Sequence, residues 1–538
     1  MKIPVRLEGE EIIKYSERLS ELYARVHNTK NRKLKGEFFT PKEVSKYMAS
    51  LFKIHQTTIR LLDPGSGNGI LTAAFCHMLL KHKKTINLTI DAYENNPNLI
   101  PFLRKVLEVC KKELERNGHS VKLNIFKKDF ILYNSGYFNK SNMRLRKKKP
   151  ILFDFVISNP PYYKLNKDSP QSSVMKELIY GQPNIYALFM ALSASMVKPE
   201  GEMVFITPRS FCSGLYYKKF REWFLENVQI SNIHIFESRS EIFDKDEVLQ
   251  ENIIIKARKN KIKNEHEKLT ISMSKNKDLN KIRKIRVQYR EIIYHKNGDV
   301  FIRIPTSPID VNILRIVDSW PNTLRDLGLE ISTGPVVPFR AEDFLLPENT
   351  KNSQSAPLLW MHNMQDMKIL WPLKKNKKAS MIQVCGKSEP LLLPVKNYVL
   401  VKRFSSKEQE RRLYTAPLLE SNFSHKKVGI ENHVNYVHRP GGNLSDYEAI
   451  GISAILNTYI VDNFFRSLNG NTQVNATDIR SLPFPKLEDI RKIGKIVHGS
   501  KTYRNKLNID NTVTEILDIN IDKINNLNRG EVEYGQKR

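Results

Sequence analysis

The sequence predicts an α/β fold for its first half, with a parallel sheet covered by helices, followed by a separate mixed domain that is less regular. Three observations carry this prediction. Short apolar runs alternate with helical patterns from the start to about residue 255. A glycine-rich turn joins the first apolar run to a helical pattern. Beyond about residue 300, prolines and turn signals become frequent and the alternation is lost.

The candidate strands share a short apolar run that contains branched or aromatic side chains. They are residues 59–63, 86–94, 123–126, 151–158 and 202–207. Between them lie helical patterns, one of which ends at a glycine stop signal, Gly118. Strands that alternate with helices in this way predict a parallel sheet with both faces covered.

A helix start is predicted in detail near residue 40. Thr40 is a suitable N-cap, Pro41 suits the first helical position, and Glu43 completes a capping box. An apolar stripe at helical spacing follows, over residues 44–52. Residues 36–40 are therefore expected to form a loop held against a helix N-terminus.

The composition indicates the class of partner. Among 538 residues there are 87 lysines and arginines against 57 acids, which gives a formal net charge of +30. Such an excess attracts polyanions. The sequence has no apolar run near the ~20 residues that a membrane span needs, and its start lacks the apolar core of a signal peptide. The expected partner is therefore nucleic acid, with no membrane association, and the expected compartment is the cytoplasm.

Two segments are especially basic, residues 140–149 and residues 256–300. Both are candidates for contact with nucleic acid. For the second segment, a domain boundary or a solvated charged face are the alternatives.

The cysteines and histidines predict neither a metal site nor a disulfide framework. The cysteines are far apart and form no C-x-x-C pair, so we expect buried small apolar side chains at Cys76, Cys110, Cys212 and Cys385. The 13 histidines show no spacing typical of metal ligands.

The glycine-rich turn is the first candidate site. Asp63, Gly65, Gly67 and Gly69 follow a predicted strand and precede a predicted helix. Glycines allow a tight turn and the close approach of a ligand to backbone N–H groups. The spacing is not the dinucleotide-binding fingerprint, because Ile70 stands where a third glycine or alanine is needed, and no Lys-Ser/Thr pair for a polyphosphate follows. An ordinary strand-to-helix turn is the alternative.

Polar or aromatic residues also follow the next three strands. Glu94 ends the second, where an acid can accept hydrogen bonds from ribose hydroxyls, and an exposed glutamate is the alternative. Asp129 and Phe130 follow the third and could hold an adenine ring. The fourth ends in the tetrapeptide Asn159–Tyr162. All are expected at the carboxyl edge of one sheet, where open α/β folds bind ligands.

The order of these pieces resembles one family, the N6-adenine-specific DNA methyltransferases of type II restriction–modification systems in the gamma motif order of Taq-type and Pst-type enzymes. The resemblance covers most of the chain. It implies a Rossmann-like catalytic domain dependent on S-adenosyl-L-methionine (AdoMet) over residues 1–290. A mixed, irregular target-recognition domain would follow over residues 300–490, with a helical tail over residues 491–538.

The resemblance also implies roles for residues. The implied AdoMet-binding residues, from the N-terminal loop to the adenine contact, are Phe39, Thr40, Pro41, Asp63, Pro64, Gly65, Gly67, Glu94, Asp129 and Phe130. The implied catalytic residues are Asn159, Pro160, Pro161, Tyr162 and Phe243. Phe243 would stack on the target base, and a core residue is the alternative for it. Beyond residue 300, the segments similar to Pst-type recognition domains are residues 332–340, 397–412 and 469–485.

Elementary chemistry explains the Asn-Pro-Pro-Tyr tetrapeptide. The exocyclic amine of adenine is a poor nucleophile because its lone pair is delocalised into the ring. The side-chain oxygen of Asn159 and the backbone carbonyl of Pro160 can accept hydrogen bonds from its two N–H groups. These bonds favour the build-up of electron density on nitrogen. Consecutive prolines fix φ and lack N–H groups, which leaves that carbonyl free. Tyr162 offers a flat face for a base that has left the duplex.

The predicted function is a site-specific adenine-N6 methyltransferase of double-stranded DNA that uses AdoMet and protects host DNA from a separate cognate endonuclease. A methyltransferase of RNA or of a protein glutamine amide is the alternative, because the tetrapeptide suits any planar NH₂ group. The N-terminal loop and the long C-terminal portion favour DNA. A non-catalytic DNA-binding subunit would be expected to have lost the tetrapeptide, and the sequence shows no nuclease motif.

Overall fold

The computed structural model describes residues 3–27, 36–138, 150–182, 184–237, 251–259, 266–275, 279, 281–296, 298–346, 354–373, 378–405, 408–470, 472–500, 506–520 and 533–536. The chain divides into two compact units. The first unit is Met1–Thr306 together with Glu531–Arg538, and the second unit is Ser307–Gly530. The division lies shortly after the limits of 290 and 300 that the sequence suggested.

The first unit is built on one sheet, which has ten strands in the described part of the chain. Its strands are β1 (Thr58–Pro64), β2 (Asn87–Tyr93), β3 (Ser120–Phe126), β4 (Phe153–Ser158), β5 (Val197–Pro208), β6 (Gln229–Phe236), β7 (Asn252–Arg258), β8 (Lys268–Ser274), β9 (Lys281–Gln288) and a C-terminal strand (Glu533–Gln536). The order across the sheet is C-terminal strand, β9, β8, β6, β7, β5, β4, β1, β2, β3. A separate hairpin follows β9, formed by β10 (Ile293–Lys296) and β11 (Asp299–Ile302).

The α/β fold with parallel pairing is confirmed, and the five predicted strands are β1 to β5. Strand β1 pairs in parallel with β2 and with β4, β2 with β3, and β4 with β5. Consecutive residues of β1, β2 and β4 are buried. Because successive side chains of a strand point to opposite faces, both faces of this part of the sheet are covered. Strands β2 and β3 lie on one side of β1, and β4 and β5 lie on the other side. The strand order therefore reverses between β1 and β4, which is a topological switch point.

The other half of the sheet is mostly antiparallel. Strand β7 pairs antiparallel with both β5 and β6, and β8 pairs antiparallel with β9. The described parts of the basic segment 256–300 therefore form strands of the first unit and not a linker.

The helices of the first unit are α1 (Ile12–Val26), α2 (Lys42–Ser50), α3 (Ile70–Leu79), α4 (Ile100–Arg116), α5 (Phe130–Asn134), α6 (Pro170–Val174), α7 (Ile185–Met196), α8 (Lys218–Asn227) and α9 (Tyr289–Ile292). The predicted stop after α4 is confirmed, since Gly118 adopts a φ of 83°. The predicted capping of α2 is wrong. The helix begins at Lys42, after Pro41 and not Thr40 as the N-cap residue. Its first N–H donates to Glu17 Oε1 of α1 at 3.1 Å, while the Thr40 hydroxyl accepts a hydrogen bond from Asn159.

The expectation that the cysteines are buried holds for Cys76, Cys110 and Cys212. It is wrong for Cys385, which is half-buried in a turn where its backbone N–H donates to Ser388 Oγ at 3.0 Å.

The second unit consists mainly of small sheets followed by helices. Its strands are β12 (Glu330–Thr333), β13 (Leu345–Leu346), β14 (Ser355–Leu359), β15 (Met364–Gln365), β16 (Lys368–Ile369), β17 (Met381–Gln383), β18 (Leu392–Pro394), β19 (Tyr398–Lys402), β20 (Thr415–Leu418), β21 (Lys427–Ile430) and β22 (Val434–His438). One sheet has the order β12-β22-β19-β20 and another has the order β13-β17-β14-β21-β18. The helices are α10 (Pro308–Asp318), α11 (Asp446–Leu456), α12 (Tyr459–Leu468), α13 (Ala476–Arg480), α14 (Leu487–Gly499) and α15 (Lys506–Ile516).

Among the helices of the described residues, none combines the length and the apolar character that crossing a membrane requires.

Candidate active site

A cavity of about 440 Å³ lies where β1, β2, β3 and β4 end, at their carboxyl edge. Of the residues singled out from the sequence, those that line it are Phe39, Gly65, Gly67, Glu94, Asp129, Phe130, Asn159 and Pro161. Those that the structure describes but that do not line it are Thr40, Pro41, Asp63, Pro64, Gly69, Pro160 and Tyr162. Four separate strand ends are thus brought together around one space.

The glycine-rich turn is held by the end of the neighbouring strand. The backbone N–H groups of Gly65 and Ser66 donate to the carbonyl of Tyr93 at 3.0 and 2.8 Å. Gly65 and Gly67 adopt positive φ values of 76° and 57°, a region that only glycine occupies at little cost. The turn therefore presents backbone and no side chain to the cavity at these two positions.

Glu94 fastens the same turn from β2. Its Oε2 accepts the Gly67 N–H at 2.9 Å, and its Oε1 accepts the Asn96 N–H at 2.7 Å. The side chain is buried, so the alternative of an exposed glutamate is excluded. Burial raises the pKa of Glu94 to about 7, against the hydrogen bonds from these amides.

Asp63 supports the turn without lining the cavity. It is fully buried, and its Oδ2 accepts a hydrogen bond from the Thr72 hydroxyl at 2.6 Å. Burial raises the pKa of Asp63 to about 7, and the nearby Glu94 carboxylate adds to this shift. The carboxyl group thus ties the end of β1 to the first turn of α3.

Asp129 and Phe130 stand at the start of α5. Asp129 Oδ1 accepts the Leu132 N–H at 2.8 Å and so caps this helix, while Oδ2 accepts from Gln171 Nε2 at 3.0 Å. The ring of Phe130 lies 5.2 Å from the rings of both Tyr93 and Phe189. One side of the cavity therefore combines an acceptor with an aromatic wall, which suits a purine.

Asn159 is held from two sides. Its Nδ2 donates to the Phe38 carbonyl at 2.8 Å and to Thr40 Oγ1 at 3.1 Å. On its other side, the Tyr162 hydroxyl lies 2.6 Å from Asn159 Oδ1 and 2.8 Å from the carbonyl of Ile206. That hydroxyl has one proton and serves one of these two acceptors at a time.

Tyr162 is less accessible than its implied role suggests. The side chain is buried, with the Phe38 ring stacked on it at 5.9 Å and the edge of Tyr186 at 6.1 Å. Tyr163 lines the cavity in its place. Stacking of a base on Tyr162 therefore requires the Phe38 ring to move, and this role stays a prediction.

Sequence reasoning missed a set of contacts behind Glu94. Asn96 Nδ2 donates to Glu37 Oε1 at 2.7 Å and to the Tyr23 hydroxyl at 3.1 Å. These bonds connect the end of β2 to the N-terminal loop and to α1. A signal existed in Asn95-Asn96-Pro97, which is a typical turn sequence directly after a strand.

Two sequence predictions cannot be placed in this geometry. Phe243 and the basic segment 140–149 lie outside the described residues.

Two curated relatives that match nearly the whole chain show its family. Residues 66–243 match the family model described as Eco57I restriction-modification methylase. The chain is 34% identical over 492 residues to the type II methyltransferase M.BsuBI of Bacillus subtilis, which covers 91% of this chain and 95% of that protein. It is 33% identical over 490 residues to the type II methyltransferase M.PstI of Providencia stuartii. This match covers 90% of this chain and 93% of that protein. Among solved structures, a DrdV–DNA complex aligns with a TM-score of 0.43 and 12% identity over 90% of this chain and 59% of that one.

Proposed function

This chain belongs to the type II DNA methyltransferases of restriction–modification systems, and we propose that it methylates N6 of an adenine swung out of double-stranded DNA. The observation that carries the proposal is the Asn159 carboxamide. It lies at the cavity that gathers the glycine turn, Glu94 and Asp129, with its NH₂ end turned to the N-terminal loop. An oriented amide oxygen beside a cofactor cavity is what activation of an aromatic amine requires.

AdoMet is the cofactor of this family, and the cavity residues fit it. A volume of about 440 Å³ is within the usual range for small-molecule sites. Glu94 is placed to accept from ribose hydroxyls. Asp129 and Phe130 form the side suited to adenine, and the acids Glu37 and Glu94 line a space that a cationic molecule would fill. When bound, AdoMet supplies a methyl group already activated on a sulfonium.

The chain's own residues act on the target amine. Asn159 Oδ1 and the Pro160 carbonyl accept hydrogen bonds from its two N–H groups. These bonds increase the electron density on nitrogen while the methyl group is transferred. Both acceptors are fixed before reaction, so little reorganisation is needed. Holding the amine in line with the methyl group accounts for much of the remaining rate enhancement. Transfer of the methyl group from sulfur to nitrogen leaves one proton in excess on the amine, which passes to water, and no general base is assigned.

The adenine reaches this site only after it leaves the duplex, because its amine is otherwise shielded by stacking and pairing. Tyr162 and Phe243 would stack on the extruded base and offset part of the cost, once the Phe38 ring has moved away from Tyr162. The basic segments 140–149 and 256–300 would hold phosphates. Base readout is assigned to the second unit, and methylation would protect host DNA from a separate cognate endonuclease.

The test is Asn159→Ala, assayed with labelled AdoMet on long duplex DNA and by sequencing for N6-methyladenine. We expect methyl transfer to fall by roughly 10²-fold or more, while AdoMet affinity changes little, since the side chain acts on the amine. Asn166→Ala is the matched control, because Asn166 is exposed on the loop that follows the tetrapeptide.

Two results would contradict the proposal. Transfer at the wild-type rate by Asn159→Ala would remove the role of the carboxamide. Label that enters RNA or a polypeptide, and never adenine in DNA, would assign the chemistry to the alternative substrate class.

A further inference from the structure

The N-terminal loop, residues 36–41, is docked on the catalytic tetrapeptide. Gly36 adopts a φ of 65°, and a Cβ there would lie 2.5 Å from the backbone N of Tyr162. The Phe38 ring covers the Tyr162 ring. The Phe38 carbonyl and the Thr40 hydroxyl both accept from Asn159. A loop that the family resemblance connects with the cofactor is therefore also fastened to the residue that activates the target amine.

A carboxamide has an orientation problem that a carboxylate lacks. Its two ends have almost the same shape but opposite hydrogen-bonding character, since the oxygen accepts and the NH₂ group donates. The torsion that exchanges them is soft. With the NH₂ end toward adenine, donors would face donors and the amine could not be activated. Partners of Asn159 must therefore determine which end faces the substrate.

The N-terminal loop supplies the partners of the NH₂ end, and the Tyr162 hydroxyl, 2.6 Å from Oδ1, is the partner of the oxygen end. The Phe38 carbonyl can only accept, so it selects the NH₂ end of Asn159, and Thr40 Oγ1 accepts the second N–H. A flipped carboxamide would place Oδ1 against the Phe38 carbonyl oxygen at about the same 2.8 Å, with two acceptors facing each other. Both protons of the NH₂ group are thus used away from the substrate side.

We propose that Thr40 is a positioning residue for methyl transfer: with the Phe38 carbonyl, its hydroxyl holds the Asn159 carboxamide in the orientation that receives the target amine. The inference rests on the proposed function of Asn159. It gives Thr40 a role other than cofactor contact, which is consistent with its burial and with its position outside the cavity lining. The loop thereby connects the cofactor side of the site with the base side.

The experiment compares Thr40→Val with Thr40→Ser. Valine keeps the shape and removes the hydroxyl, so one N–H of Asn159 loses its acceptor, whereas serine keeps the hydroxyl. We expect single-turnover methyl transfer to fall about tenfold in Thr40→Val, the effect of one lost hydrogen bond of about 1.4 kcal/mol. Thr40→Ser should stay close to wild type. The dissociation constant for AdoMet, measured by calorimetry without DNA, should be unchanged in both.

Three outcomes would overturn the inference. The first is a Thr40→Val enzyme as fast as wild type. The second is a loss of AdoMet affinity equal to the loss of rate, which would make Thr40 a cofactor ligand only. The third is a Thr40→Ser enzyme as slow as Thr40→Val. Failure of the proposed function is distinguishable, because then wild type itself would leave DNA unmethylated.

Asn159→Asp is the second variant, and it keeps the inference testable if Thr40→Val does not fold. A carboxylate has no NH₂ end, so one of its oxygens would face the Phe38 carbonyl with no proton between them. We expect transfer to fall at least tenfold with AdoMet binding retained. Full activity in Asn159→Asp would show that the loop does not select the carboxamide orientation, and would overturn the inference.

Discussion

Two buried carboxyl groups stand out at the scale of single residues. Asp63 and Glu94 lie at the ends of adjacent strands, both are buried, and burial raises the pKa of each to about 7. Neither forms an ion pair with a described residue. Each hydrogen-bonds the glycine turn or the helix that follows it. The turn is therefore held by groups that are costly to ionise, so the free energy of unfolding should depend on pH.

The sign of that dependence follows from the pKa of Asp63, which rises from its ordinary 3.8 to about 7 on folding. The folded protein keeps a proton that the unfolded chain releases above pH ~4. The stabilisation is complete below that pH and is lost as pH rises through about 7, at about 1.4 kcal/mol per pH unit. Because Glu94 keeps its own raised pKa, Asp63→Asn should reduce the fall in Tm of the cofactor-free protein between pH 5 and pH 8 without abolishing it, measured by calorimetry.

The control for this prediction is Glu43→Gln, which removes one carboxylate of the same unit that is about half exposed (52%). It should keep the wild-type dependence of Tm on pH. Equal slopes in Asp63→Asn and wild type would contradict the assignment of the dependence to Asp63.

At the scale of elements, local patterns predicted the cofactor side of the site and missed the contacts that join its parts. The strands β1 to β5, the glycine turn and Glu94 each carry a signal within a few residues of sequence. The bond from Asn159 to Phe38 spans 121 residues, and no periodicity reports it. Two other long-range contacts explain the wrong cap at α2, because the Thr40 hydroxyl accepts from Asn159 and the Lys42 N–H donates to Glu17.

The close packing of helices α11 and α14 in the second unit is another long-range contact that local sequence patterns do not predict. A Cβ at Gly451 would lie 2.0 Å from the Ile490 carbonyl oxygen, and one at Gly494 would lie 1.9 Å from the Tyr447 carbonyl oxygen. The two helices therefore approach backbone to backbone. From sequence alone, a glycine inside a helix indicates only a weak helix former.

Gly494→Ala should destabilise the second unit. The added methyl group cannot fit without separating α11 from α14, and overpacking of this kind costs about 1–3 kcal/mol. The measurement is the midpoint of denaturant unfolding. Gly499→Ala, in the same helix, is the control because nothing lies within 4 Å of the added atom. Equal midpoints for the two variants would contradict the close approach.

At the scale of the whole molecule, we expect the first unit to carry out methyl transfer and the second unit to read the DNA sequence. Every described residue of the candidate site lies in the first unit. The second unit is one continuous segment, Ser307–Gly530, and the chain then returns to the first unit, where the C-terminal strand pairs with β9. The net charge of +30 favours DNA of any sequence, so discrimination between sequences needs contacts with base edges.

A chimera tests this separation. Residues 307–530 are replaced by the equivalent segment of a family member with a different target, while the C-terminal strand is kept because it belongs to the sheet of the first unit. We expect the chimera to methylate the donor's sequence and no longer its own, since all cofactor and amine contacts are retained. Sequencing of DNA from cells that express it would show the methylated context, and the chimera with Asn159→Ala is the inactive control. An unchanged methylated sequence would assign base readout to the first unit, and with it the direct contacts to the bases around the extruded adenine.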